Sequence, residues 1–198
     1  MDRKKKILEL AKQRGIIRPR DVEASEIPRE YLLRLYRNGD ITRIRRGLYA
    51  LPDSLTSESL TLAEVAKRVP NGVVCLLSAL QFHNLTTQIS HRVWIAIENR
   101  KWKPGFDYPP LEVVRFSIRP FNFGVEEHEV DHVLVKIYSP AKTVADCFKF
   151  RNKIGLDVAM EALRETWRNK KATMDELWEA AKVCRVANVM RPYLEAVT

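Results

Sequence analysis

Arg29-Glu30-Tyr31-Leu32-Leu33-Arg34-Leu35-Tyr36-Arg37-Asn38-Gly39, followed after Asp40 by Ile41-Thr42-Arg43-Ile44-Arg45-Arg46-Gly47-Leu48-Tyr49-Ala50-Leu51-Pro52, decides how the first quarter of this chain folds. At about 100° per residue, Tyr31, Leu32, Leu35 and Tyr36 share one arc. Arg29, Glu30, Arg34 and Arg37 share the opposite arc, with Leu33 among them. This is a helix with an apolar back and a charged front, entered through Ser25-Glu26-Ile27-Pro28 and stopped by Asn38-Gly39. The second run holds two short β-prone segments around Arg46-Gly47, where glycine supplies the turn geometry and Pro52 ends the pairing. It reads as a hairpin with Arg43, Arg45 and Arg46 crowded near its tip.

Upstream, residues 3–14 place Ile7, Leu8, Leu10 and Ala11 on one side at helical spacing, with Gly15 as the stop. A short second helix is expected from about Pro19 to Ala24, its proline suited to the first turn. Three helices and a basic hairpin within the first 52 residues form a winged helix-turn-helix. In that arrangement the third helix presents Arg29, Arg34 and Arg37 outward. Arginine forks there can pair with guanine edges or clamp phosphates in a major groove. Leu33 can touch a thymine methyl or tuck against the wing. Arg43, Arg45 and Arg46 at the hairpin tip can reach phosphates or the adjacent minor groove.

Charge placement agrees. Of a net charge of +9, residues 1–52 carry 14 Lys/Arg against 7 Asp/Glu, whereas residues 53–198 carry 20 against 18. A basic lobe on a near-neutral body is the footprint of a polyanion contact. Membrane surfaces and RNA attract such a lobe as well, and three helices with a hairpin also make protein-interaction modules. The arginines on both the third helix and the hairpin are what favour duplex DNA.

The composition, 45% hydrophobic and 30% charged over 198 residues, is that of a globular protein. No run of eighteen apolar residues exists to span a membrane. The basic start Met1-Asp2-Arg3-Lys4-Lys5-Lys6 is followed by charge-interrupted sequence instead of an apolar stretch, which argues against a signal peptide and for a cytoplasmic location. Cys75, Cys147 and Cys184 are scattered without a paired spacing and read as free buried thiols in a reducing compartment.

A polar stretch at 53–59 suggests a seam, giving two expected domains: residues 1–53, the winged helix, and residues 54–198, an α+β domain with a small mixed sheet and a C-terminal helical bundle. Leu60 to Val69 reads as helical. Val73 to Phe82 is strongly apolar and reads as a buried helix. Strands are expected at 93–97, 111–116 and 133–137. Between the first two lies a loop, 98–110, holding Arg100, Lys101, Trp102, Lys103, Phe106 and Tyr108. It either stacks on bases, grips a protein partner, or is simply pinned to the sheet by its aromatics. Glu126 to Asp131 reads as a solvated acidic turn. Ser139-Pro140 opens a helix in which Lys142 and Asp146, four apart, can pair weakly on the surface. Gly155 interrupts before helices over about 156–170, 174–183 (capped by Thr173) and 186–196.

Chemistry-bearing clusters are not apparent. His83, His91, His128 and His132 are spread over loops and strand ends, and no nucleotide-binding glycine loop or nucleophile motif occurs. A nuclease would need Glu98 with Lys101, or Asp107 with Glu112, to converge, which the spacing supports only loosely. The expectation is a non-enzyme with no metal and no cofactor.

Gly39 to Tyr49 resembles the approach to the wing in AbiEi-type antitoxins of type IV toxin–antitoxin systems. A stronger likeness is Tyr138-Ser139-Pro140-Ala141-Lys142-Thr143-Val144-Ala145-Asp146-Cys147-Phe148, continuing through Arg151 to Asp157, which resembles that family's C-terminal signature. The resemblance runs in order along nearly the whole chain, with little in 85–130. It implies a transcriptional regulator that binds inverted repeats in its own promoter and represses it. It also implies a C-terminal domain that counteracts a nucleotidyltransferase-like toxin without needing a stable complex with it. The basic positions it carries over are Arg34, Arg37, Arg43, Arg45 and Arg46. Lys142, Asp146, Arg151 and Asp157 fall on the C-terminal signature and are candidates for an antitoxicity surface. The sequence leaves open a stand-alone winged-helix regulator whose second domain senses a ligand or partner.

Overall fold

Ile7 and Ala11 lie one turn apart on one helix, Leu32 and Leu35 three residues apart on another, and all four are closed to solvent. In the computed structural model of the chain these apolar stripes organise the first of two compact units. The structure describes residues 3–52 and 58–197. The first unit is built from the chain up to Pro70 together with His128–Val135. The second comprises Asn71–Glu127 and the chain from Lys136 onward.

The first unit contains α1 (Arg3–Arg14), α2 (Pro19–Glu23), α3 (Arg29–Arg37), the hairpin β1 (Thr42–Arg45) and β2 (Leu48–Ala50), and α4 (Glu58–Arg68). β1 and β2 pair antiparallel, and Ile17 adds a bridge to Tyr49, exchanging N–H···O bonds of 2.8 and 2.9 Å. Ile7, Ala11, Ile17, Val22, Ile27, Leu32, Leu35, Ile41 and Tyr49 form its core. Fully burying one such aliphatic side chain contributes about 1.5–3 kcal/mol. The helices stop where the sequence predicts. Gly15, at φ +61°, has a further role: a Cβ there would run into the carbonyl oxygen of Asp131, so only glycine lets the two backbones approach.

The first unit continues beyond residue 53, where the sequence suggested a seam. The polar stretch lies outside the described residues over 53–57, and α4 follows directly. Side chains of the winged helix hold α4: Arg18 donates to the Lys67 carbonyl at 2.9 Å, and Arg45 approaches Glu64.

In the second unit the elements are β3 (Val73–Val74), α5 (Leu76–His83), β4 (Val93–Glu98), β5 (Leu111–Phe116), α6 (Ile118–Asn122), β6 (Val125–Val130), β7 (Val133–Tyr138), α7 (Pro140–Lys149), α8 (Arg151–Ile154), α9 (Leu156–Arg168), α10 (Met174–Val183) and α11 (Ala187–Val197). The outer end of β6–β7 is the part that belongs to the first unit. The five-stranded sheet has the order β5-β4-β3-β7-β6 and is mixed: β3 runs antiparallel to β4 and parallel to β7, and β4 runs parallel to β5. Helical side chains of α5, α7, α9, α10 and α11 close over it, with Leu80, Phe116, Tyr138, Phe148, Leu163 and Leu194 in one core. The fold is α+β, a winged helix-turn-helix followed by a small mixed sheet and a C-terminal helical bundle.

Two expectations are corrected. The apolar run at 73–82 is not one helix. Val73–Val74 form the central strand, Cys75 turns the chain, and α5 begins at Leu76. A short apolar run has no period to separate strand from helix, and the two β-branched valines take the strand. Glu126 to Asp131 is mainly strand β6 at the sheet edge and not a solvated turn. An edge strand keeps charged side chains in water, so acidity is compatible with it.

Candidate nucleic-acid interface

The exposed side of α3 is the one the sequence predicts. Leu32 and Leu35 are buried and Tyr31 is half-buried, while Arg29, Glu30, Leu33, Arg34 and Arg37 are exposed. Tyr36, expected on the apolar arc, remains exposed although its ring packs edge-on against Tyr49 at 5.9 Å. Leu33 is also exposed, so it is not tucked away under the wing. Arg34 sits over the Tyr31 ring at 5.3 Å, and Arg3 of α1 sits over the same ring at 5.1 Å while donating to the Tyr31 hydroxyl at 2.8 Å. The phenol thus holds two guanidinium groups side by side and limits their rotamers. Arg3 is the basic residue that helix-face reasoning missed: it belongs to another helix, and only packing brings it to α3.

On the hairpin, the exposed positions of β1 are Arg43 and Arg45, with Thr42 and Ile44 half-buried between them. Arg46 and Gly47 make the turn, with Gly47 at φ +79°. Arg43 Nε donates to the Arg45 carbonyl at 3.3 Å, which curls the side chain along the strand. Arg45 is engaged differently: its Nε lies 3.6 Å from Glu64 Oε1, which also accepts from Arg68 at 3.1 Å. Burial pushes the Glu64 carboxyl up, against the two arginines that pull it down. Arg45 is therefore partly neutralised by a carboxylate, whereas Arg46 has no such neighbour among the described residues. Asp21, in the first turn of α2, is the opposite case: burial raises it, but the Arg18 backbone and side-chain bonds at 2.8–3.1 Å win, and its carboxyl is lowered.

The four C-terminal signature positions separate. Lys142 and Asp146 do form an ion pair, but its side chains are 0% exposed in the interior of the second unit and not on a helix surface. The Lys142 ammonium lies over the rings of Tyr138 (4.0 Å) and Phe116 (4.5 Å), and Asp146 also accepts from the Cys184 thiol at 3.4 Å. Burial raises the Asp146 carboxyl, opposed chiefly by Lys142. α7 is buried all round, because the sheet lies on one side and other helices on the rest. As folded, this pair offers nothing to a partner. Arg151 is half-buried and donates to the Phe148 carbonyl at 2.9 Å, and Asp157 is exposed at the start of α9. The three cysteines are free and buried.

Among the described residues no helix is long and apolar enough to cross a membrane. Residues 5–52, the three helices and the hairpin, match the family model described as "Transcriptional regulator, AbiEi antitoxin". That match supports a regulatory role for the winged helix. The crystal structure of the RV2827C protein from Mycobacterium tuberculosis has a similar fold, with a TM-score of 0.56 over 92% of this chain and 75% of that one, at 13% identity. No curated protein matches the sequence.

Proposed function

Taking the match of residues 5–52 to the AbiEi regulators as premise, we propose that this protein is a DNA-binding antitoxin, cytoplasmic and non-enzymatic, that represses its own promoter. The observation that carries the reading is the set of exposed arginines on α3 and the β1–β2 hairpin, raised on a well-packed winged helix: Arg29, Arg34 and Arg37 on the helix, Arg43, Arg45 and Arg46 on the wing. α3 enters the major groove of a promoter inverted repeat, where Arg34 and Arg37 pair with guanine edges or phosphates. The wing arginines hold flanking phosphates, so affinity falls steeply as salt rises. Repression follows from occlusion of the promoter.

Residues 54–198 counteract a nucleotidyltransferase-like toxin encoded nearby, without a stable complex. Of the four signature positions, Arg151 and Asp157 are the two with access to solvent. Lys142 and Asp146 act by holding α7 in place.

The test is binding of the protein's own promoter duplex across a salt series. Arg34→Ala with Arg37→Ala weakens binding by roughly 1–3 kcal/mol for each arginine–base pairing removed. Equal affinity of variant and parent removes the recognition-helix assignment. Co-expression with the neighbouring gene tests the second activity: the same double variant still rescues growth while promoter activity rises.

A further inference from the structure

β4 and β5 are parallel neighbours, so the chain must travel back along the sheet to begin the second strand, and residues 99–110 make that return without a helix. The loop is fixed at its start by Arg115, which donates to the carbonyls of Asn99 (3.0 Å) and Lys101 (2.8 Å). Phe106 is half-buried. Trp102 takes no part in this anchoring and stands 95% exposed. The notion that the aromatics pin the loop to the sheet therefore fails for the largest of them. An indole held out in water on an anchored loop leaves some 150–250 Å² of ring surface free to bury against a partner.

The surroundings of that indole are cationic. Arg100, Lys101 and Lys103 flank it in sequence, all exposed. Beside the loop, within the second unit, lies a concavity of about 410 Å³ lined by Asn71, Glu98, Lys101, Phe121, Asn122 and Lys136. That is within the roughly 300–1,000 Å³ of ligand pockets. Among the described residues, neither the Lys101 nor the Lys136 ammonium has an ion-pair or hydrogen-bond partner. Two free ammonium groups facing one hollow suit a phosphate, and the carboxylate of Glu98 with the two asparagines suits amino and hydroxyl groups of a base or sugar.

We infer that this surface binds single-stranded nucleic acid, with a base stacked on Trp102 and the adjoining phosphate between Lys101 and Lys136. Duplex DNA is the wrong occupant, because paired bases keep their faces inside the stack and cannot meet an indole plane. A nucleic-acid strand alternates base faces with phosphates, the order in which Trp102 and the two ammonium groups are presented. The site uses no residue of the winged helix and stands or falls independently of the promoter reading.

The experiment uses the full chain carrying Arg43→Ala, Arg45→Ala and Arg46→Ala, so that the wing contributes little. Fluorescence anisotropy is recorded with fluorescein-labelled oligo(U) and oligo(dT) of roughly 12 nucleotides, a length within known single-strand site sizes. Both probes bind, Trp102→Ala weakens binding at least about fivefold, and Lys101→Ala with Lys136→Ala flattens the salt dependence. Tighter binding of oligo(U) assigns the site to RNA, and equal binding assigns it to either strand type. Trp102→Phe retains part of the affinity, which separates stacking from loss of fold. The proposal is overturned if the triple-arginine variant binds neither probe, if Trp102→Ala binds as the parent does, or if unlabelled duplex competes as well as single strand. Promoter duplex binding by the otherwise unaltered chain is unchanged by Trp102→Ala, so failure here leaves the repressor assignment intact.

Discussion

Arg45 on the wing and Glu64 on α4 approach to 3.6 Å, and Glu64 is almost closed to solvent while Arg45 is not. One of the wing's guanidinium groups is thereby held by a carboxylate that also binds Arg68. The wing's charge toward a phosphate is the sum of these opposing contributions, and a single exchange changes it.

Glu64→Gln removes the negative charge and keeps the side-chain shape. Promoter affinity is expected to rise a few-fold at low salt, with the salt slope steeper by about one phosphate neutralised. Binding isotherms at several salt concentrations read both. A fall in affinity with unchanged stability would mean that Glu64 positions Arg45 instead of restraining it.

Asp21 contributes through the bonds it accepts from Arg18, and charge-assisted bonds of this kind are worth roughly 1.5–3 kcal/mol. Its carboxyl titrates below the usual value of about 3.9. The stabilisation is therefore complete above that value and is lost as pH falls through the lower folded value. Asp21→Asn should unfold at lower denaturant than the parent at pH 7, with the gap closing under strong acid. A gap that stays constant down to strong acid refutes the assignment.

Gly15→Ala introduces a Cβ where the Asp131 carbonyl already sits, at a backbone φ of +61°. Steric conflict and left-handed strain should together cost more than about 2 kcal/mol. Thermal melts resolve such a loss easily. A near-parental melting temperature would show that residues 128–135 are not packed on the first unit.

Lys142→Met leaves Asp146 buried without its partner and should cost about 3–5 kcal/mol. Combining it with Asp146→Leu should recover most of that loss, since the apolar pair replaces the ionic one in a dry core. Chemical denaturation of the single and double variants checks the cycle. Additive losses would place the pair outside the core.

The thiols of Cys75 and Cys147 are pushed well up by burial, and Cys184 up to about 12 by burial and the neighbouring Asp146. With so little thiolate, all three should resist a thiol reagent in the native protein and react together on denaturation. Rapid labelling of any one under native conditions contradicts this.

Much of the candidate interface was legible because it rests on local periodicity. The arc through Leu32 and Leu35, the Asn38-Gly39 stop and the turn at Arg46-Gly47 need only neighbouring residues, so the exposed arginines of α3 and β1 follow from spacing. Arg3 beside Arg34 on Tyr31 does not follow, because α1 and α3 meet only after packing. The same holds for Glu64 at the wing: its pairing with Arg68 is a one-turn spacing, but its approach to Arg45 crosses from helix to hairpin.

By itself the amino-acid order determined the winged helix, the placement of its basic charge and most helix limits, since each depends on a repeat of a few residues and on turn or cap chemistry. Only the tertiary structure decided that Lys142 and Asp146 lie inside, that β4 and β5 run parallel, and that the chain between them leaves Trp102 in water. Those outcomes depend on which surfaces meet across long separations. An i, i+4 spacing brings two charges together, but what covers them is set by strands and helices elsewhere in the chain.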